Sequence, residues 1–182
     1  MVRTEKDAQR DLIRRLKKSF DATQLAFYSE QLAQSLFENS HYQTARNVAL
    51  FASLPDEPDT TAILAHALND DKKVWLPAVI DEEYMEMRRY LGVESLVEGA
   101  FHILEPMGEL LADYSELDLI LVPGMAFDLS CHRLGRGRGY YDCFLHRCSH
   151  KTWRIGYCFP FQMLDKVSVE PHDEQVNECI SL

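Results

Sequence analysis

Apolar residues return every three or four positions near the start of this chain. Ala8, Leu12, Ile13, Leu16 and Phe20 recur among charges at the period of an amphipathic helix. Asp21-Ala-Thr-Gln interrupts the pattern and offers a new cap, after which Leu25, Tyr28, Leu32 and Leu36 predict a second helix. The run 47–52 (Asn-Val-Ala-Leu-Phe-Ala) is apolar after its first residue and predicts a buried strand. A polar loop over 53–59 follows, and Asp59 or Thr60 caps a helix running to about Leu68. The segments 73–79 and 84–91 read as strands, the second more exposed. The strongest strand signal is Leu117-Asp-Leu-Ile-Leu-Val, ended by Pro123-Gly124. Beyond it come a glycine-rich loop, a helix over 140–148 and a strand over 154–159.

Strands alternating with helices, with no repeat or linker between them, predict an α/β fold: a single-domain α/β/α sandwich with a mostly parallel central sheet spanning residues 1–182. In such sheets ligands sit beyond the carboxyl ends of strands, which directs attention to the loops after Ala52 and Val122.

Composition narrows the function. A chain of 182 residues with 46% hydrophobic and 26% charged positions has ordinary globular usage. Its formal net charge of -10 argues against a general nucleic-acid or membrane-surface binder, because either needs a broad positive field. It does not forbid an anionic ligand, since clustered arginines overrule the average at close range. The cysteines (Cys131, Cys143, Cys148, Cys158 and Cys179) are odd in number and contain no C-x-x-C pair, which suits free thiols in a reducing compartment. The N-terminus has no apolar core of a signal sequence, and no apolar run approaches the ~20 residues of a membrane span. A soluble, cytoplasmic protein is expected, monomeric or weakly dimeric.

The candidate chemistry lies in Arg133-Leu-Gly-Arg-Gly-Arg-Gly-Tyr-Tyr-Asp142. Alternating glycines leave backbone N–H groups free to turn toward an anion, and the following helix adds its positive N-terminus. Arg133, Arg136 and Arg138 repel one another unless a counter-charge is present, and a polyphosphate supplies one. The segment is not a Walker A loop, lacking Gly-Lys-Ser/Thr, and the third glycine of a dinucleotide fingerprint is replaced by Tyr140. Asp142 is either a favourable charge in the first turn of its helix or a magnesium ligand beside phosphates. Lys6 and Arg10 lie four apart, on one helix face, as a solvated basic pair or a phosphate contact. Of the adjacent Tyr140 and Tyr141, at most one can point squarely into a core.

Leu119-Ile-Leu-Val-Pro-Gly-Met-Ala-Phe-Asp128, followed by the Arg133–Asp142 run, closely resembles the signature of 5-formyltetrahydrofolate cyclo-ligases, V-P-G-x-x-F-D then R-x-G-x-G-x-G-Y-Y-D. The resemblance covers nearly the whole chain. Lys6-x-x-x-Arg10 is similar to the family's basic pair, Ser53-Leu-Pro-Asp-Glu57 to its loop after the first strand, Leu104-Glu-Pro106 to its E-P turn, and Pro171-His-Asp173 to its C-terminal H-D. It implies ATP- and Mg2+-dependent closure of 5-formyltetrahydrofolate to 5,10-methenyltetrahydrofolate through a phosphorylated formyl intermediate. Implied ATP contacts are Lys6, Arg10, Arg133, Leu134, Gly135, Arg136, Gly137, Arg138, Gly139, Tyr140 and Tyr141. Implied folate contacts are Ala52, Glu57 (pairing with donors of the pterin), Phe101, Arg136, Gly137, Arg138, Gly139 and Tyr140, with Phe101 equally placed for core packing. Arg138, Tyr140 and Asp142 are the implied catalytic residues, and Asp142 and Asp173 the implied Mg2+ ligands. A non-catalytic nucleotide- or folate-binding protein of the same fold is the alternative. Alanine at Asp142 is expected nearly to abolish turnover and to leave the fold intact. Two positions depart from the family pattern: Cys131 stands where glycine is usual, and Asn177 where aspartate is frequent.

Overall fold

A computed structural model describes residues 4–82, 84–99 and 104–182. Two amphipathic helices open the chain, α1 (Glu5–Lys17) and α2 (Ala22–Glu38). Each begins at a reciprocal capping box, Thr4 with Asp7 and Asp21 with Gln24, so the break expected at Asp21 is a helix start. A short α3 (Ser40–Thr44), capped by Asn39, leads into β1 (Asn47–Ala49). Thr60 occupies the N-cap position of α4 (Thr61–Asn69), but its hydroxyl donates to the Phe51 carbonyl (2.7 Å). Asp59 therefore does the capping, accepting from the Thr61 N–H at 2.9 Å.

The chain continues through β2 (Lys73–Val79), β3 (Met85–Arg89), β4 (Leu96–Glu98), β5 (Leu104–Pro106) and β6 (Leu119–Pro123). Next come β7 (Ala126–Asp128), β8 (Arg133–Leu134), α5 (Tyr140–Arg147), β9 (Trp153–Tyr157), β10 (Met163–Leu164) and β11 (Glu178–Ile180). The central sheet has strand order β11-β9-β6-β1-β2-β3, parallel throughout except for the antiparallel β2–β3 edge. The mostly parallel α/β sandwich is therefore the fold.

Side chains alternate across that sheet, and both faces are buried. Val48, Leu50, Val74, Leu76, Leu119 and Leu121 pack toward α2, α3 and α4, together with Leu32, Leu36, Tyr42 and Ile63. Ala49, Trp75, Ile120 and Val122 face the other way, against Phe144 and Leu145 of α5 and against Tyr114. A third, smaller cluster of Ile13, Met125, Ala126, Leu134 and Val167 seats α1. Strands buried on both faces read as unbroken apolar runs, which is why 47–52 and 119–122 stood out in the sequence.

The stretch after Gly124, expected as loop, contains β7 and β8, which form a separate three-stranded sheet with β10. Strands of two and three residues are too short for a period-two pattern to register. Between β7 and β8, Asp128 is buried and organises the turn. Its Oδ1 accepts the N–H groups of Ser130 and His132, and its Oδ2 accepts Val167 N–H (2.9 Å) and meets His132 Nδ1 (3.0 Å). Burial works against the Asp128 charge, but these hydrogen bonds outweigh it and hold the carboxyl below its usual pKa.

Cys131, in the same turn, takes a left-handed φ of 63°. That is a conformation a glycine adopts freely and a cysteine holds only at a cost in backbone strain. Cys131→Gly should relieve this strain and forfeit part of the gain to unfolded-chain entropy, for a net rise in stability of no more than about 1 kcal/mol. Urea denaturation measures it. A net loss would mean that packing of the sulfur outweighs the backbone cost.

Candidate active site

From β1 the chain moves one way along the sheet, to β2 and β3, and then returns to place β6 on the other side of β1. A parallel sheet opens a crevice where its strand order reverses in this way. A cleft of about 390 Å³ lies there. Phe51 and Ala52 follow β1, Pro123 and Gly124 end β6, and Pro77 and Val79 end β2. Phe51, Leu54, Pro77, Val79, Met85 and Pro123 make one wall apolar. The opposite wall is the glycine–arginine loop and the start of α5: Gly135, Arg136, Arg138, Gly139, Tyr140, Tyr141 and Asp142, with Arg133 beside them.

The glycines do separate jobs. Gly137 and Gly139 hold φ of 105° and 76°, and Gly139 is the N-cap of α5, with no side chain between the helix end and the cleft. Gly137 turns away from the cleft toward α1: a Cβ there would lie 3.6 Å from the Arg10 guanidinium carbon. Arg10 Nε donates to the Gly135 carbonyl (2.9 Å), so α1 clamps the loop from behind. Leu134 is fully buried in the small α1 cluster. Its side chain faces the core, so its place among the implied ATP contacts rests on backbone alone.

Arg133 and Asp142 form a buried ion pair at 2.8 Å, their side chains 4% and 16% exposed. The Arg133 guanidinium also stands over the Tyr141 ring, 5.7 Å from its centroid. Two donors in this corner are buried with no acceptor among the described residues, Arg133 Nε and the Tyr141 hydroxyl. Burial and the Glu57 charge push the Tyr141 hydroxyl pKa far up, so it stays protonated and remains a donor. Tyr140 directs its hydroxyl to the Asp81 carbonyl at 2.8 Å and also lines the cleft. Both tyrosines thus line the cleft.

Glu57 lines the cleft but is already engaged. Its Oε2 accepts from Leu54 N–H, and its Oε1 from Nε and Nη2 of Arg136 at 3.1 and 2.8 Å. Arg136 also holds Asp56 through two hydrogen bonds. Burial disfavours the Asp56 charge, yet Arg136 outweighs it and keeps that carboxyl below its usual pKa. Lys17 donates to the Pro55 carbonyl in the same loop (3.0 Å).

Lys6 reaches across to the C-terminal segment, meeting Asp173 at 2.7 Å and Glu170 at 2.7 Å. Burial opposes the Lys6 charge, but both hydrogen bonds outweigh it and raise its pKa above the ordinary lysine value. Asp173 lies in a neighbouring polar depression with His132, Glu170 and Glu174, and Arg133 lines both this depression and the main cleft. Glu174 N–H donates to Asp142 Oδ1 (3.3 Å), so the peptide following Asp173 abuts Asp142. The main chain beside Asp173, rather than its carboxylate, is thus what meets Asp142. Asp142 Oδ2 accepts no hydrogen bond among the described residues. Asp173 is occupied by the Lys6 ammonium, so it would ligate a metal only on giving up that pair, whereas Asp142 keeps one oxygen for a hard cation.

Ala52, Glu57, Arg133, Gly135, Arg136, Arg138, Gly139, Tyr140, Tyr141 and Asp142 thus meet in one cleft, with Arg10 and Gly137 behind its loop and Lys6 at the neighbouring depression. Phe101 lies outside the described residues. Pro77, Val79, Met85 and Glu105 border the cleft without having been singled out as contacts. Their positions at strand ends become visible only once β2 and β5 are placed. No helix among the described residues is long and apolar enough to cross a membrane.

These features define an α/β enzyme whose cleft sets an apolar wall opposite a wall of glycines and arginines. The sequence model of the 5-formyltetrahydrofolate cyclo-ligase family matches residues 2–181. The chain belongs to the 5-formyltetrahydrofolate cyclo-ligase family, and is a ligase of folate metabolism. It is 29% identical to 5-formyltetrahydrofolate cyclo-ligase of Mus musculus, over 97% of this chain and 95% of the relative. It is also 29% identical to the Escherichia coli K12 enzyme of that name, over 89% and 92%. The NMR structure of Aquifex aeolicus 5,10-methenyltetrahydrofolate synthetase superposes with a TM-score of 0.86 at 29% identity, covering 98% of this chain and 90% of that one.

Proposed function

We propose that this chain closes 5-formyltetrahydrofolate to 5,10-methenyltetrahydrofolate at the expense of ATP, supplied as its magnesium complex. The observation that carries this reading is the pair of buried, unsatisfied donors, Arg133 Nε and the Tyr141 hydroxyl, beside a glycine loop and a helix N-terminus. Orphaned buried donors are costly, and phosphate oxygens in the cleft would satisfy them.

In this reading the formyl oxygen attacks the γ-phosphorus of ATP, the bond from that phosphorus to the bridging oxygen breaks, and ADP departs. The second folate nitrogen then bonds to the activated formyl carbon, which loses inorganic phosphate as the ring closes. No enzyme nucleophile is needed. The chain's share is in-line positioning and neutralisation of charge on the transferred group. Arg133 and Arg138 supply positive charge, the glycine backbone supplies N–H donors, and Asp142 with Asp173 would hold magnesium against the phosphates. Lys6 stands ready to exchange Asp173 for phosphate. Residues 1–182 act as one domain in this reading, monomeric or weakly dimeric, in the cytoplasm.

Incubation with 5-formyltetrahydrofolate, ATP and Mg2+ should produce methenyl-folate absorbance. Absence of an ATP-dependent signal at high enzyme concentration would refute catalysis and favour a binding protein. Arg138→Ala should raise the Kd for ATP about tenfold, the size expected for one charge-assisted contact, and change folate affinity by less than about twofold. Calorimetry with each ligand separates the two. Equal losses for both would make the arginine a shared or structural group.

A further inference from the structure

We infer that Glu105, on β5, is a further carboxylate that reads the pterin ring of the folate, beside the Glu57 that the family resemblance implies. The inference rests on the proposed substrate and concerns which group of this cleft orients it. Three carboxylates line the cleft, and two have cationic partners: Glu57 on Arg136 and Asp142 on Arg133. Glu105 has none among the described residues.

Its position is set by the uneven lengths of the strands. The register of β1 with β2 runs from Asn47↔Lys73 to Ala49↔Trp75, so β2 continues four residues beyond its neighbour. On that open side the N–H of Val79 has no strand partner. Glu105 Oε1 takes it, at 3.0 Å. This bond fixes the carboxylate at the carboxyl end of β2, against the apolar wall of Pro77, Val79 and Met85. Oε2 accepts no hydrogen bond among the described residues. Half-buried beside Gly99, this second oxygen is left for a donor that enters the cleft.

The pyrimidinone edge of a pterin presents adjacent N–H donors, at N3 and at the 2-amino group, on a flat ring with apolar faces. An ionised carboxylate accepts only, and so complements that edge where a neutral amide would offer a donor to a donor. The wall of Pro77, Val79 and Met85 suits the ring's faces. The same negative charge repels the carboxylates of the glutamate tail, so it also sets orientation, pterin inward and tail outward.

Glu105 could instead serve only as the cap of Val79, and glutamine separates the two roles. An amide oxygen still caps Val79, but its NH2 then faces the pterin's donors; flipped, it meets the Val79 N–H instead. Glu105→Gln and Glu105→Ala should each raise the KM for 5-formyltetrahydrofolate at least tenfold, with the KM for ATP within about twofold. A 2-desamino-2-methyl analogue should bind the wild type at least tenfold more weakly than the parent and bind Glu105→Gln about as well as the parent does. A Glu105→Gln enzyme with wild-type KM and undiminished preference for the 2-amino group overturns the assignment and leaves a cap. If the wild type binds 5-formyltetrahydrofolate without turning it over, the proposed reaction fails; calorimetric Kd values for the same variants and analogue then decide on Glu105 alone.

Discussion

Asp142→Asn should lower kcat at least a hundredfold while the protein remains folded. Asparagine keeps an acceptor for Arg133 Nη2 and for Glu174 N–H, the two hydrogen bonds that Asp142 makes. It removes the negative charge, and with it the affinity for a hard cation beside the phosphates. A hundredfold loss corresponds to about 2.7 kcal/mol of transition-state stabilisation, a modest demand for a group touching the transferred charge. Steady-state kinetics over a range of Mg2+ should show part of the loss recovered at high metal concentration. A wild-type rate would remove Asp142 from the metal assignment. Alanine is the less informative change, contrary to what the sequence suggests. It strips the counter-charge from a 4% exposed Arg133, and breaking such a buried pair costs roughly 3 kcal/mol or more of stability. Turnover and fold would then fall together.

The second large effect is on stability. Asp128→Ala should destabilise the protein by about 3 to 5 kcal/mol, a large part of the 5–15 kcal/mol typical of a domain. The Asp128 carboxylate satisfies three backbone N–H groups and the His132 ring. Val167 N–H is buried, so water cannot replace its partner. Asparagine should lose less, since its single oxygen can serve Ser130 and His132 but its amide NH2 then faces Val167. Chemical denaturation of both variants tests this ordering. Alanine and asparagine equal to the wild type would mean that the β7–β8 turn is held by its strands alone. Because β8 begins at Arg133, a loosened turn should also raise the KM for ATP in whatever fraction stays folded.

The parallel sheet was legible because its strands are buried on both faces. Val48 to Phe51 and Leu119 to Val122 leave no polar position to confuse the pattern. The glycine–arginine run was legible because free glycines, clustered cations and a following helix have few other uses together. What the sequence hid is mostly pairwise. Nothing in the one-dimensional pattern tells that Glu57 is tied to Arg136, Asp142 to Arg133 or Lys6 to Asp173, since those contacts depend on how loops far apart in the chain fold against one another. Asp128 looked like one more letter of a motif, and its role emerges only when Val167, 39 positions later, is found donating to it. Glu105 shows the same limit: a carboxylate on a strand of three residues has no periodicity to interpret, and its meaning comes from the length by which β2 outruns β1.

Arg136 joins the glycine loop to the segment after β1 by grasping Asp56 and Glu57 together. In the proposed reaction, a nucleotide that draws this guanidinium onto its phosphates would release both acids, whose segment borders the wall proposed for the folate. Occupancy of one half of the cleft should then alter affinity in the other. By thermodynamic reciprocity the factor is the same whichever ligand arrives first.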